Sequence, residues 1–316
     1  MVESTYSAII DSIGPESLDL VVELDELTNG DRRLDFFKRR FTAQEKHPQA
    51  FISIAVTQAG DMVGFVCCHM LQGEFGSNEL IAVLDAIAVD PQSQGHGVGH
   101  ELIQHLAIEI RKRGGTEIQT QAGWNQPGVL DFFSSTGFRL APRLILERST
   151  PNYSDPSSND FDDLSQDKVL VRSLASTDLG QVVHIDKKIT GQDRRAFFQR
   201  KFEEVLFESG IRVSLIAEID GMVTGFIMAR VDFGEFGRTA SEAVIDTLGV
   251  TSAFRSQHVG HAMLAQLLVN LASLQVDSVR SAVEWSNFDL LGFLASCGFN
   301  PSQRLALSCD LGCHLV

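Results

Sequence analysis

Apolar positions along the chain follow two rhythms that alternate in a fixed order. Around Leu18 to Leu27 and Leu179 to Ile189 they recur every three or four residues, which predicts amphipathic helices. Ala50 to Thr57 and Met62 to Met70 alternate with period two about Gln58-Ala59-Gly60-Asp61, and Arg212 to Ile219 with Val223 to Val231 do the same about Asp220-Gly221. Each pair reads as a β-hairpin. Ile81 to Val89 and Ala243 to Val250 are apolar strands, each leading through a polar loop into a long helix, Val98 to Arg113 or Val259 to Leu274. A further strand follows (Glu117 to Ala122, Ser278 to Val283), then a short helix and a last strand that is expected to close each half. Short strands open the two series at Ser7 to Ile13 and Val169 to Leu174, and a second helical segment carries Phe36-Phe37 or Phe197-Phe198.

The order occurs twice because the chain is an internal repeat. A shift of 161 residues lays Gly73-Glu74-Phe75-Gly76 on Gly234-Glu235-Phe236-Gly237, Asp85 on Asp246, and Val98-Gly99-His100 on Val259-Gly260-His261. Trp124 falls on Trp285 and Gly137-Phe138 on Gly298-Phe299; Asp31-Arg32-Arg33 matches Asp193-Arg194-Arg195 with a slip of one. Between the copies, Ser149 to Lys168 is rich in Pro, Ser, Asn and Asp, a composition that buries little apolar surface. The expected division is therefore residues 1–149, a linker at 150–167, and residues 168–316.

Charge narrows the function classes. A net charge of −15 opposes sequence-independent nucleic-acid binding, where phosphate neutralisation supplies most of the affinity, and suits either a cationic substrate or simple solubility. No apolar run is long enough to span a bilayer, and the first ten residues lack a basic segment followed by an apolar core. The cysteines are odd in number, five, without metal or disulfide spacing, so a reduced, cytoplasmic setting is expected.

The candidate chemistry lies where the Leu84 to Val89 strand passes through Asp90-Pro91-Gln92-Ser93 into Gln94-Gly95-His96-Gly97-Val98-Gly99. Glycines there permit positive φ, and the helix that follows offers free N–H groups to a pyrophosphate. Gln-x-x-Gly-x-Gly after an apolar strand resembles the acyl-CoA loop of the GNAT superfamily of N-acyltransferases. Asn125, followed by Leu130 through Phe133 and Gly137-Phe138, is similar to that superfamily's next motif. The resemblance covers nearly all of both halves. It implies an α/β fold, a mixed twisted sheet with helices on both faces in two tandem copies. It further implies acetyl-CoA as co-substrate, an amine as acceptor, and no metal. CoA would enter where the strands ending near Val89 and Ala122 splay. The residues implied to hold it are Ile87, Ala88 and Val89 at the strand end, then Gln94, Gly95, His96, Gly97, Val98, Gly99 and His100, with Asn125 and Phe133 beyond. A backbone N–H near Ile87 would polarise the thioester.

Asp85, a carboxylate inside an apolar strand, is costly unless solvated or partnered. By strand parity it groups with Ile87 and Val89. The resemblance implies a general base or ammonium anchor, and the competing reading is a carboxylate paired with a nearby Arg. Where the superfamily commonly carries a proton-donating tyrosine, this chain has Phe133 and Leu294. In the second loop Ser256 stands for Gly95 and His258 for Gly97, so the first half is the expected active site despite Arg255. His96, His100 and His105 lack accompanying metal ligands. Asp25 and Asp186, Arg32-Arg33 and Lys38-Arg39-Arg40 are expected on solvated helix faces, Trp124 and Trp285 in packing. The chain would be a pseudo-dimer in itself, with homodimerisation open. The alternative function is a non-catalytic acyl-CoA-binding or interaction protein.

Overall fold

A computed structural model describes residues 9–72, 79–150, 169–203, 205–206, 211–232, 235–237, 241–255 and 257–312. The linker at 150–167 (save Thr150), the first-half turn with Glu74, and Ser256, Tyr6 and Tyr153 lie outside the described residues. The first copy comprises β1 (Ile9–Ser12), α1 (Leu18–Asn29), α2 (Leu34–Lys46), β2 (Phe51–Gln58), β3 (Asp61–Gln72), β4 (Leu80–Val89), α3 (Val98–Lys112), β5 (Glu117–Gly123), α4 (Pro127–Ser135), β6 (Arg139–Leu140) and β7 (Arg143–Ser149). The second comprises β8 (Leu170–Ser173), α5 (Leu179–Thr190), α6 (Arg195–Glu203), β9 (Leu215–Ile219), β10 (Met222–Asp232), β11 (Glu242–Val250), α7 (Val259–Ser273), β12 (Ser278–Glu284), α8 (Phe288–Ser296), β13 (Asn300–Pro301) and β14 (Arg304–Asp310).

The hairpin turns behave as their sequences require. Ala59 and Gly60 both take positive φ (53° and 96°), as do Asp220 and Gly221 (51° and 74°), the two-residue geometry whose twist matches the flanking strands. The strands form two seven-stranded mixed sheets, ordered β1-β2-β3-β4-β5-β14-β6 and β13-β7-β12-β11-β10-β9-β8. Helices cover both faces of the first sheet. Leu102, Leu106 and Ile110 of α3 recur every fourth residue and pack on Val66, Cys68 and Leu84, while Val21 and Val22 of α1 and Phe37 and Phe41 of α2 pack on Phe65, Cys67 and Ala86. Cys67 and Cys68 thus face opposite sides, and burial pushes both thiols up, which removes them as nucleophiles.

The last strands do not close their own halves. β14 pairs antiparallel with β5, from Arg304 opposite Gly123 to Asp310 opposite Glu117, and β7 pairs with β12, from Ser149 opposite Ser278 to Arg143 opposite Glu284. A division at 149 and 168 therefore cuts both sheets. The reason is physical: two copies with the same pairing edges offer each final strand two equivalent partners, and periodicity carries no information about which is taken.

One irregularity positions the site. Cys67 of β3 faces Ala86 of β4, but Cys68 faces Leu84, so Asp85 is the extra residue of a β-bulge. Asp246 is the extra residue of the matching bulge between Met228 opposite Thr247 and Ala229 opposite Ile245. The bulge resets the alternation: Leu84 faces α3, Ala86 faces α1 and α2, and Ile87 and Val89 return to the α3 side. Asp85 consequently points toward α2 with Ala86, not with Ile87 and Val89 as unbroken parity predicts.

Candidate active site

β4 and β5 pair in parallel only from Ile81–Glu117 to Val83–Gln119 and then separate. The gap opens a cleft of about 660 Å³ that runs from the loop before α3 to the α1–α2 connection. Ser93, Gln94, Gly95, Gly97, Val98, Gly99 and His100 line its loop end; Asp85, Ile87, Ala88 and Val89 line the middle; Phe133 lines it from α4. Two of the residues assigned to CoA are elsewhere. His96 is exposed beside the loop, and Asn125 is exposed in the turn before α4 with its Oδ1 close over Gly123, neither reaching the cleft wall.

The loop has the form a diphosphate cradle needs. Gly95 and Gly97 take φ of 77° and 88°, and a Cβ built on either meets nothing within 4 Å, so their positive φ and not internal crowding accounts for glycine. Gly99 differs: a Cβ there would sit 2.7 Å from the Phe132 ring, so this glycine lets α4 approach α3. In the second half Gly260 does the same for Phe293, and His258 holds left-handed backbone (φ 57°) where the first copy has Gly97. Such geometry costs a non-glycine residue roughly 1–2 kcal/mol. His100 stands edge-on to Phe132 and His261 edge-on to Phe293, at 6.1 and 5.2 Å between ring centroids.

Asp85 is 2% exposed and paired. Arg40 of α2 approaches its Oδ2 to 2.9 Å, and His69 of β3 places Nδ1 2.7 Å from its Oδ1. The same frame recurs 161 residues on with different chemistry, as Lys201 and Arg230 lie 3.0 and 3.6 Å from Asp246. A lysine and an arginine flank the second carboxylate; an arginine and a histidine flank the first. A further pair was expected at the surface and is buried instead. Asp25, 0% exposed, is gripped by Arg33 through two nitrogens and by Asn29 Nδ2 at 2.8 Å, and Arg194 grips Asp186 likewise. Arg33 therefore corresponds to Arg194 at the unbroken 161-residue shift, and the one-residue slip is not needed. Only Arg32, Lys38 and Arg39 of the basic stretch lie on the exposed face. Trp124 and Trp285 do not pack: they are 60% and 51% exposed.

The second half reaches into the first. A 3₁₀ turn, Glu235–Gly237, contacts β4, and its Phe236 and Gly237 line the cleft with Arg304 of β14. Arg230 and Arg280 hold Glu235 at 2.8 and 3.0 Å. Burial opposes ionisation of Glu235, but these two guanidinium groups, with His69, outweigh it and keep the carboxyl well below its usual range. Burial likewise disfavours the His69 imidazolium, yet Asp85 and then Glu235 outweigh burial and raise its pKa above 6.5. His69, Asp85 and Glu235 bring ligand atoms within 4.8 Å of one another. Arg40 faces Asp85, and Arg230 and Arg280 face Glu235, so both carboxylates have cationic partners within the chain.

Asp85 announced itself as a charge in an apolar strand. His69 and Arg40 could have been found by asking which polar positions recur at 161 residues, since they fall on Arg230 and Lys201. Phe236 and Arg304 could not, because their place at the first-half cleft follows from the strand exchange.

The sequence profile of the Acetyltransferase (GNAT) family matches residues 19–138 and again 183–299. The chain belongs to the GNAT acetyltransferase family. Both matched segments end before the exchanged strands, so the GNAT core is present in each copy while the edges are shared. Among curated GNAT relatives, the Escherichia coli [ribosomal protein bS18]-alanine N-acetyltransferase is 29% identical over 93 residues, which is 29% of this chain and 58% of that protein. Among solved structures, a tandem GNAT protein from the clavulanic acid biosynthesis pathway superposes with a TM-score of 0.64 at 15% identity, covering 98% of this chain and 100% of its own. A GCN5-related glucosamine N-acetyltransferase region of a fungal multi-domain β-N-acetylglucosaminidase gives 0.67 at 16% identity, covering 97% of this chain and 38% of that one. Among the described residues, no helix is long and apolar enough to cross a membrane.

Proposed function

We propose that this GNAT chain moves an acetyl group from acetyl-CoA to a primary amine, with the working site in the first half. The observation that carries the reading is the cleft that joins the Gly95–Gly97 loop to Asp85 between the parted ends of β4 and β5. The open loop and the first turn of α3 offer N–H groups and a positive dipole end to the CoA diphosphate. The pantetheine arm then follows the β4 edge, where a main-chain N–H near Ile87 polarises the thioester carbonyl. An alkyl amine is about one part in a thousand neutral at pH 7. Asp85, hemmed in by Arg40 and His69, acts as anchor for the incoming ammonium, and the proton it sheds passes to water in the cleft. The amine nitrogen bonds to the carbonyl carbon, the C–S bond breaks, and CoA departs as thiolate. With a thiol pKa near 8.5 that departure proceeds without a side-chain acid, and none stands at Phe133.

The −15 net charge favours cationic acceptors, and the Escherichia coli relative's alanine amine belongs to the same class. Cys67, Cys68, Cys297 and Cys309 are free and buried, which supports a reducing, cytoplasmic setting. One observation favours a second reading, a CoA-binding protein without turnover. Phe133 is enclosed by Phe132 and Phe138, and Leu294 is fully buried, so neither copy presents a donor at that position. Titration of the full chain with acetyl-CoA, followed by thiol release against a panel of primary amines, separates the two. The transferase reading expects one equivalent bound, affinity lowered more than tenfold by Gly97→Val, and amine-dependent thiol release. Binding without release on any primary amine selects the second reading; binding abolished by Arg255→Ala and unaffected by Gly97→Val moves the site to the second half.

A further inference from the structure

Just past the point where β5 leaves β4, Gln121 lines both the main cleft and a small cavity of about 60 Å³ between the two halves. Its Oε1 is buried and accepts no hydrogen bond from any described residue. Its neighbour Thr120 donates to Leu84 O at 3.1 Å, which fastens β5 alongside the bulge and brings Gln121 to the level of Asp85. Asp85 Oδ2 is in a related position: Arg40 Nη2 is 2.9 Å away, yet lies off the hydrogen-bonding direction, so this oxygen also accepts no directed bond. One buried oxygen without a donor and a second met only by an off-axis guanidinium are expensive for a fold to keep, and they mark a place where a ligand supplies directed donors.

The second half lacks the arrangement. Ala282 stands where the first copy has Gln121, so Asp246 has no amide oxygen beside it; Lys201 gives its Oδ2 a directed hydrogen bond at 3.0 Å, and its Oδ1 has Arg230 at 3.6 Å. The exchange supplies a wall beside the two oxygens. Phe236 lines both cavities, its carbonyl accepts from Arg304 Nη2 at 3.2 Å, and the guanidinium carbons of Arg280 and Arg304 lie 5.3 and 5.8 Å from its ring centre. An aromatic ring so clamped is a fixed apolar surface for an alkyl stem.

Resting on the transferase reading above, we propose that Gln121 Oε1 and Asp85 Oδ2 form the subsite for a primary alkylammonium, walled by the Glu235–Gly237 turn of the second half. A primary ammonium carries three N–H donors, enough for both oxygens with one to spare. A tertiary ammonium or an alcohol carries one and leaves an oxygen unpaired, so the subsite selects a primary amine over a tertiary amine or an alcohol. Gln121 is then a specificity-determining residue, and the second half takes part in the first half's acceptor choice.

The test uses the full chain saturated with CoA and titrated with n-butylammonium, with n-butanol as neutral control. The Gln121 side-chain amide resonances, assigned by their loss in Q121A, are followed by NMR. They are expected to shift saturably with n-butylammonium and not with n-butanol, and Q121A is expected to weaken ammonium binding about tenfold by calorimetry. Unmoved Gln121 resonances, ammonium affinity unchanged in Q121A, or equal shifts with n-butanol overturn the proposal. Should CoA itself fail to bind, the transferase reading falls, and the same titration on the unliganded chain still decides the subsite.

Discussion

His69 is where the two copies diverge in a way that pH can read. Between Asp85 of its own half and Glu235 of the other, its imidazolium is favoured, so its pKa in the folded protein lies above the ordinary 6.5. A group raised in the folded state contributes stability that is fully present below the unfolded pKa and disappears as pH climbs through the folded one. Glu235, held below its ordinary 4.5 by Arg230 and Arg280, contributes in the opposite sense: fully above 4.5, and lost as pH falls through its folded value. The network is therefore strongest between about pH 4.5 and 6.5 and weakens on the alkaline side first. Urea unfolding at pH 6 and pH 8.5 should show the wild type losing more stability than His69→Gln across that interval. Equal losses in the two proteins would remove His69 from the linkage. Part of this cluster was open to reading from the chain alone, because a carboxylate amid Val83-Leu84 and Ala86-Ile87 demands a partner. The face that Asp85 takes was not, since it depends on a bulge that turns the side chain toward α2, and nothing in its immediate neighbours distinguishes a bulge from unbroken pairing.

Helix α3 and helix α4 meet at a contact set by one missing methyl group. A Cβ on Gly99 would sit 2.7 Å from Phe132 Cε2, and the corresponding distance from Gly260 to Phe293 is 3.0 Å. Gly99→Ala must push the ring aside or part the helices, at about 1–3 kcal/mol by the usual cost of overpacking. Phe132→Leu should recover most of that loss, so a double-mutant cycle by thermal unfolding is expected to give a coupling above ~0.5 kcal/mol. Additive losses would mean that the two side chains do not press on each other. Gly97→Ala, with open space around its Cβ, should lose about 1–2 kcal/mol through backbone strain alone and show no coupling to Phe132. The sequence pattern gives elements like these to within a few residues: the predicted Val98 to Arg113 is the observed Val98–Lys112, and Ile81 to Val89 is Leu80–Val89. They were legible because a 3.6-residue or two-residue rhythm is local. The role of Gly99 was not, because a glycine kept for close helix packing and one kept for positive φ look alike in a loop that contains both.

Exchange of β7 and β14 makes each half incomplete by itself. Residues 1–149 without β14 leave the β5 edge open from Glu117 to Gly123, and residues 169–316 without β7 leave β12 open from Ser278 to Glu284. Both edges are interior strands of seven-stranded sheets, whose unpaired N–H and C=O groups would seek another chain. The exposed apolar residues would include Leu307 and Cys309 of β14, now buried against the α3 core, and Ile145 and Leu146 of β7. Joining is also tied by side chains that cross the halves: Arg143 binds Glu284 at 2.6 Å, and Arg148 donates to Cys297 O. An engineered protease site placed between residues 150 and 169 should therefore cut the covalent link without parting the halves. The two fragments are expected to co-elute at the size of the intact chain on gel filtration and to separate only in denaturant. Either fragment expressed alone should elute as an oligomer or fail to fold, since re-pairing with a second copy is the remaining way to cover its edge. Fragments that part after cleavage into two folded monomers would contradict the exchanged topology. The proposed acceptor wall formed by Phe236 and Arg304 would then have to be abandoned with it, because the exchanged β14 is what brings Arg304 to the first half's cleft.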